Sequence, residues 1–167
     1  MGHGISVICE DCGKKAYLTV GIGFMYPDIF QNTLEEIKQG KHGKEWQALC
    51  NSVEYVAVDA ERYFFLCNRC NHWDLGLGMD LYRPNDPEEI RKEKYGDQTV
   101  EEWGYMPYWT RDQKENKYTL LKKFKHLCPN CNIEMERYDE IPENITGRIR
   151  CEHCGGKLRK HAMLLSD

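Results

Sequence analysis

The chain has 167 residues, with 23 Lys/Arg against 27 Asp/Glu, a net charge of −4 and a hydrophobic content of 41%. This length fits one domain or two small ones, and neither half holds enough apolar material to rely on a core alone. No apolar run approaches the roughly 18 residues of a membrane-spanning helix, and the first residues lack the charged-then-apolar layout of a secretory signal, so a cytoplasmic protein is expected.

In chain order, Ile5–Cys9 and Ala16–Ile22 have the β-branched and aromatic weight of two short strands around a first turn. Pro27 and Asp28 suit a helix start, and Phe30, Leu34 and Ile37 form one apolar stripe over residues 28–39, stopped by Gly40. A second helix opens near Gly43 and Lys44 and sets Trp46, Leu49, Cys50 and Val53 on one face. That spacing makes Cys50 a buried apolar thiol rather than a ligand. Strand character returns from Tyr55 to Leu66, where Tyr63 to Leu66 is apolar enough to be buried on both faces, and continues from His72 to Tyr82.

Residues 83–117 read as a connector with a short charged helix at 88–94, ending before Gly96. Within it, Trp103, Tyr105, Tyr108 and Trp109 concentrate four aromatics in seven residues. Such rings either form a partner-binding patch or cover the joint between two modules. Residues 119–127, 133–138, 148–150 and 157–161 read as four short strands of a last module.

A Cys-x-x-Cys unit recurs four times, at Cys9/Cys12, Cys67/Cys70, Cys128/Cys131 and Cys151/Cys154, and takes eight of the nine cysteines. Two thiolates three positions apart on a tight turn grip one side of a tetrahedral Zn²⁺, so four pairs predict two closed sites. The residue after each pair is Gly13, Asn71, Asn132 or Gly155. These types enter positive φ at least cost, as a knuckle that aims N–H groups at its sulfurs requires.

Nineteen residues separate Cys131 from Cys151, the spacing of a zinc ribbon, which groups Cys128, Cys131, Cys151 and Cys154. By elimination Cys9, Cys12, Cys67 and Cys70 form the other site, across fifty-four residues. The longer loop adds only about 0.9 kcal/mol of closure entropy. Crossed pairing between the modules is the alternative.

The run from Cys128 to Leu158 resembles the zinc ribbons, the rubredoxin-like zinc β-ribbons, and the N-terminal half with its Trp46 helix is similar to uncharacterised bacterial zinc-ribbon proteins. The resemblance implies zinc at the eight matched cysteines and no particular activity. The expected architecture is α+β. Two small antiparallel zinc ribbons lie at 1–82 and 118–167, the first with a two-helix insertion at about 28–53, and residues 83–117 join them.

No His-Glu-x-x-His, Gly-x-Ser-x-Gly or phosphate-loop motif occurs, and two four-sulfur shells leave zinc no open position, so no enzyme is expected. The leading function is a non-catalytic adaptor that displays the helical insertion and the aromatic loop to a protein partner. Residues 119–167 carry nine Lys/Arg against seven Asp/Glu, while the rest of the chain is acidic. Nucleic-acid binding through Lys122, Lys123, Lys125, Arg148, Arg150, Lys157, Arg159 and Lys160 is therefore the alternative. Iron or thiol redox chemistry at the cysteines is a third reading.

Overall fold

A computed structural model describes residues 2–23, 25–99, 102 and 107–166. The protein is mixed α/β and built on three antiparallel three-stranded sheets. In chain order the elements are β1 (Gly2–Cys9), β2 (Lys15–Val20), α1 (Tyr26–Lys38), α2 (Lys44–Ser52), β3 (Ala57–Val58), β4 (Arg62–Leu66), β5 (Trp73–Leu77), β6 (Leu81–Pro84), α3 (Pro87–Tyr95), α4 (Arg111–Lys117), β7 (Tyr118–Lys122), β8 (Glu136–Tyr138), α5 (Ile145–Arg148) and β9 (Leu158–Ser166). The chain divides into two compact units, each assembled from separated stretches.

The cysteine-bearing unit comprises Met1–Phe24, Glu61–Leu77 and Lys125–Asp167, and it contains all four Cys-x-x-Cys turns. One of its sheets has the order β2-β1-β9 and the other β5-β4-β8. On β1, Ile5, Val7 and Cys9 face inward with Leu18 and Val20 of β2 and Leu158 of β9. β4 is central in the second sheet and is buried on both faces, as its unbroken apolar run predicts. Phe64 and Leu66 enter the cluster of Ile5, Val7, Cys9 and Cys151, whereas Tyr63, Phe65 and Cys67 enter a second cluster with Cys128 and Met135. One strand thus separates two cores, and each core contains cysteines of two different turns.

The helical unit comprises Met25–Ala60 and Gly78–Phe124. Pro27 starts α1, and the predicted stripe of Phe30, Leu34 and Ile37 is buried. Asp86 caps α3 by accepting from the N–H groups of Glu88 and Glu89, at 3.0 and 3.1 Å. β3, β6 and β7 form its sheet. Inside lies an ion pair, Lys114 Nζ to Asp59 Oδ1 at 3.3 Å, with side chains only 1% and 3% exposed.

These units replace the expected modules. Residues 83–117 are not a connector between ribbons, because β6, α3 and α4 fold together with α1 and α2 in one unit. Residues 118–167 are not a self-contained ribbon either: β7 joins β6, β8 joins β4 and β9 joins β1. The physical reason is that a lone hairpin buries too little to be stable, so each late strand completes a sheet begun by earlier ones.

Candidate functional site

All four cysteine turns share one backbone geometry. The N–H of the first cysteine donates to the carbonyl five residues on: Cys9 to Lys14, Cys67 to His72, Cys128 to Ile133 and Cys151 to Gly156, at 2.8–2.9 Å. The carbonyl of that cysteine accepts from Gly13, Asn71, Asn132 or Gly155, at 2.8–3.0 Å. Those four residues have φ of 71°, 58°, 54° and 72°, the left-handed conformation that their types predict.

The thiols gather in two groups, Cys9, Cys12, Cys151 and Cys154, and Cys67, Cys70, Cys128 and Cys131, with all four sulfurs of a group within 4.8 Å of one another. This corrects the grouping expected from spacing and realises the crossed alternative. The turns are nested, first with fourth and second with third. Strand pairing is the cause. β1 runs antiparallel to β9 with Cys9 opposite Leu158, and the Glu10 N–H donates to the Lys157 carbonyl at 2.9 Å, which sets the first turn against the fourth. β4 runs antiparallel to β8 with Leu66 opposite Glu136, which sets the second against the third.

Gly156 permits the outer contact. A Cβ there would meet Asp11 Oδ2 at 2.3 Å and Cys9 Sγ at 3.0 Å.

The sulfur separations test what the groups can hold. Sγ to Sγ is 3.5 Å for Cys9 and Cys154, 3.8 Å for Cys12 and Cys151, and 3.6 Å for Cys70 and Cys128. A disulfide would be about 2.05 Å. A tetrahedron of sulfurs around Zn²⁺ at about 2.3 Å has edges of about 3.8 Å, so both groups fit such an ion.

Their electrostatics agree. The His72 N–H brings the Cys70 thiol down to about 7, and the N–H groups of Cys154 and His153 do the same for Cys151. Hydrogen bonding to the Cys70 sulfur, followed by burial, instead pushes Cys131 up to about 12. Four crowded thiols cannot all ionise unless a cation sits among them. The ninth cysteine stays apart: Cys50 is 1% exposed, and burial raises its pKa.

The other candidate residues disperse. Trp103 and Tyr105 lie outside the described residues. Trp109 is not offered to a partner: it is 2% exposed, its carbonyl accepts from the Tyr26 hydroxyl, and Lys94 Nζ sits 4.3 Å from the ring centroid. Only Tyr108 of that pair reaches the surface, edge-on to Tyr26.

The eight basic candidates are divided between the two units. Lys122 and Lys123 belong to the helical unit, where Lys122 pairs with Glu45. Arg148 donates to the Asn68 side chain at 2.9 Å, and Arg150 donates to the Ile149 carbonyl. Lys125 is exposed, while Lys157, Arg159 and Lys160 stand exposed near or on β9.

Two features escaped the sequence reading. Lys114 gives no local sign of burial among the charges of α4, although Asp59, set in the apolar run Val56–Ala60, was a signal that an acid there would need a cation. Lys14 and Lys15 join the β9 cations only through β1. No helix among the described residues is long and apolar enough to cross a membrane. No family model, curated protein or solved structure matches the chain.

Proposed function

We propose that this is a non-catalytic interaction protein whose cysteine-bearing unit is held in the manner of zinc β-ribbons by two structural Zn²⁺ ions. The carrying observation is sulfur geometry: each group supplies four thiols at about the edge length of a zinc tetrahedron. Bound there, zinc would have all four positions taken by Cys9, Cys12, Cys151 and Cys154, or by Cys67, Cys70, Cys128 and Cys131. It would cross-link distant strands and leave no position for substrate. An adaptor role is supported by the helical unit, which carries none of the eight ligands and presents Met25, Tyr108 and Leu120 as exposed apolar side chains.

Metal analysis of the protein purified without added metal tests the frame. Two zinc ions per chain are expected, and chelation should abolish amide-exchange protection in β1, β4, β8 and β9. Iron in place of zinc, or protection unchanged by chelation, would contradict it.

A further inference from the structure

We propose that the outward face of the β2-β1-β9 sheet binds single-stranded nucleic acid, with Tyr17 as a stacking platform and Lys15 and Arg159 on the phosphates. This names one partner class for the interaction protein proposed above and relies on its zinc-held frame for the shape of the sheet.

Register supplies the argument. Residues facing each other across an antiparallel pair point to the same side, and Ile5, Val7, Leu18 and Val20 point to the core. The opposite face therefore carries Lys15, Ile8 and Arg159 as one cross-strand row and Tyr17, Ser6 and Ala162 as the next. Tyr17 is 60% exposed beside Ser6, which is only 3% exposed, and exposed Ala162 completes the row. Two strand spacings, roughly 10 Å, separate the Lys15 and Arg159 backbones.

Lys14 and Lys157 are exposed just before β2 and β9, and His161 is exposed at the register shift of β9, whereas Lys160 stands opposite core-facing Val7. The acids nearby are Glu10, Asp11 and Glu152, all on the cysteine turns. The unit as a whole balances eleven Lys/Arg against eleven Asp/Glu, so the clustering of cations here is local rather than general.

On the core-facing side of the same sheet, a pocket of about 300 Å³ is lined by Lys14, Lys15, Ala16 and His153 together with Glu152, Trp73, Leu158 and the metal-site Cys151. Trp73 is held by its indole N–H donating to the Arg150 carbonyl at 3.1 Å, and it stacks on Phe64 at 21°.

A positive rim without rings would fit any polyanion. The exposed ring beside cations favours a strand whose bases are free to stack over a duplex, whose bases are not, or an acidic peptide.

The test is fluorescence anisotropy of the zinc-loaded protein with a labelled 12-nucleotide oligothymidylate, from 50 to 200 mM NaCl. Binding is expected with a log–log salt slope of about −2 to −3. Tyr17→Ala should weaken it about tenfold at unchanged slope, since one stacked base is lost, while Tyr17→Phe keeps the affinity. Lys15→Gln with Arg159→Gln should flatten the slope by about 1.4.

The inference is overturned by no binding, by equal affinity for a duplex of the same length, by equal competition from poly-glutamate, or by a Tyr17→Ala protein that binds like the parent. Zinc content separates the two proposals. Two zinc ions without oligonucleotide binding would sink only this surface; oligonucleotide binding with fewer zinc ions would sink only the metal frame.

Discussion

The Sγ atoms of Cys12 and Cys151 lie 3.8 Å apart, although 139 positions separate them in the chain. The inner group closes a shorter loop, with Cys70 and Cys128 58 positions apart. Closing the longer loop instead of a nineteen-residue one costs only about 2 kcal/mol more, which a strand ladder with eight paired positions outweighs. The outer site is thus a clasp between the first and last strands of the unit.

Gly156 lets that clasp close. Gly156→Ala pushes a methyl group toward Asp11 and Cys9 Sγ, so the outer site should lose about ten- to a hundredfold in zinc affinity while the inner site is unchanged. Competition with a chromophoric chelator, resolving one weakened ion from one retained, checks this.

In the helical unit, Asp59→Ala removes an ion-pair partner of a cation that is 1% exposed, and the expected cost is about 3 kcal/mol. Replacing both members by apolar residues, Asp59→Leu with Lys114→Met, should recover most of that loss. Urea unfolding followed by circular dichroism measures both variants.

Burial, with a smaller contribution from Tyr55, pushes Tyr95 up to about 12, and burial also raises Tyr118. Below about pH 10 the phenol is protonated in both folded and unfolded chains and its contribution to stability is complete. As pH rises toward 12 the unfolded chain gives up the proton first, so stability falls. Urea midpoints between pH 9 and 11.5 should therefore decline, and decline less steeply in Tyr95→Phe.

Local features were legible because local physics decides them. Gly13, Asn71, Asn132 and Gly155 announce left-handed turns, and the stripe of Phe30, Leu34 and Ile37 announces α1 to within two residues of its observed bounds. Partner choice was not legible. Loop entropy separates nested from sequential cysteine pairing by too little to decide between them, and nothing near β9 says that it pairs with β1 rather than with a neighbour in its own module. The same gap hid the row of Lys15, Ile8 and Arg159, and it left open whether the aromatics of 103–109 are offered to a partner or packed away, which the fold decides for Trp109 as core. Charge counting placed a basic module at the C-terminus, whereas the fold distributes those cations over two units.

Zinc stoichiometry in double cysteine variants tests the crossed grouping most directly. Cys12→Ser with Cys151→Ser removes two ligands of one site, so one zinc should remain, while Cys12→Ser with Cys67→Ser damages both sites and should leave none. The reverse pattern, none in the first variant and one in the second, would contradict the nested arrangement and restore the sequential pairing.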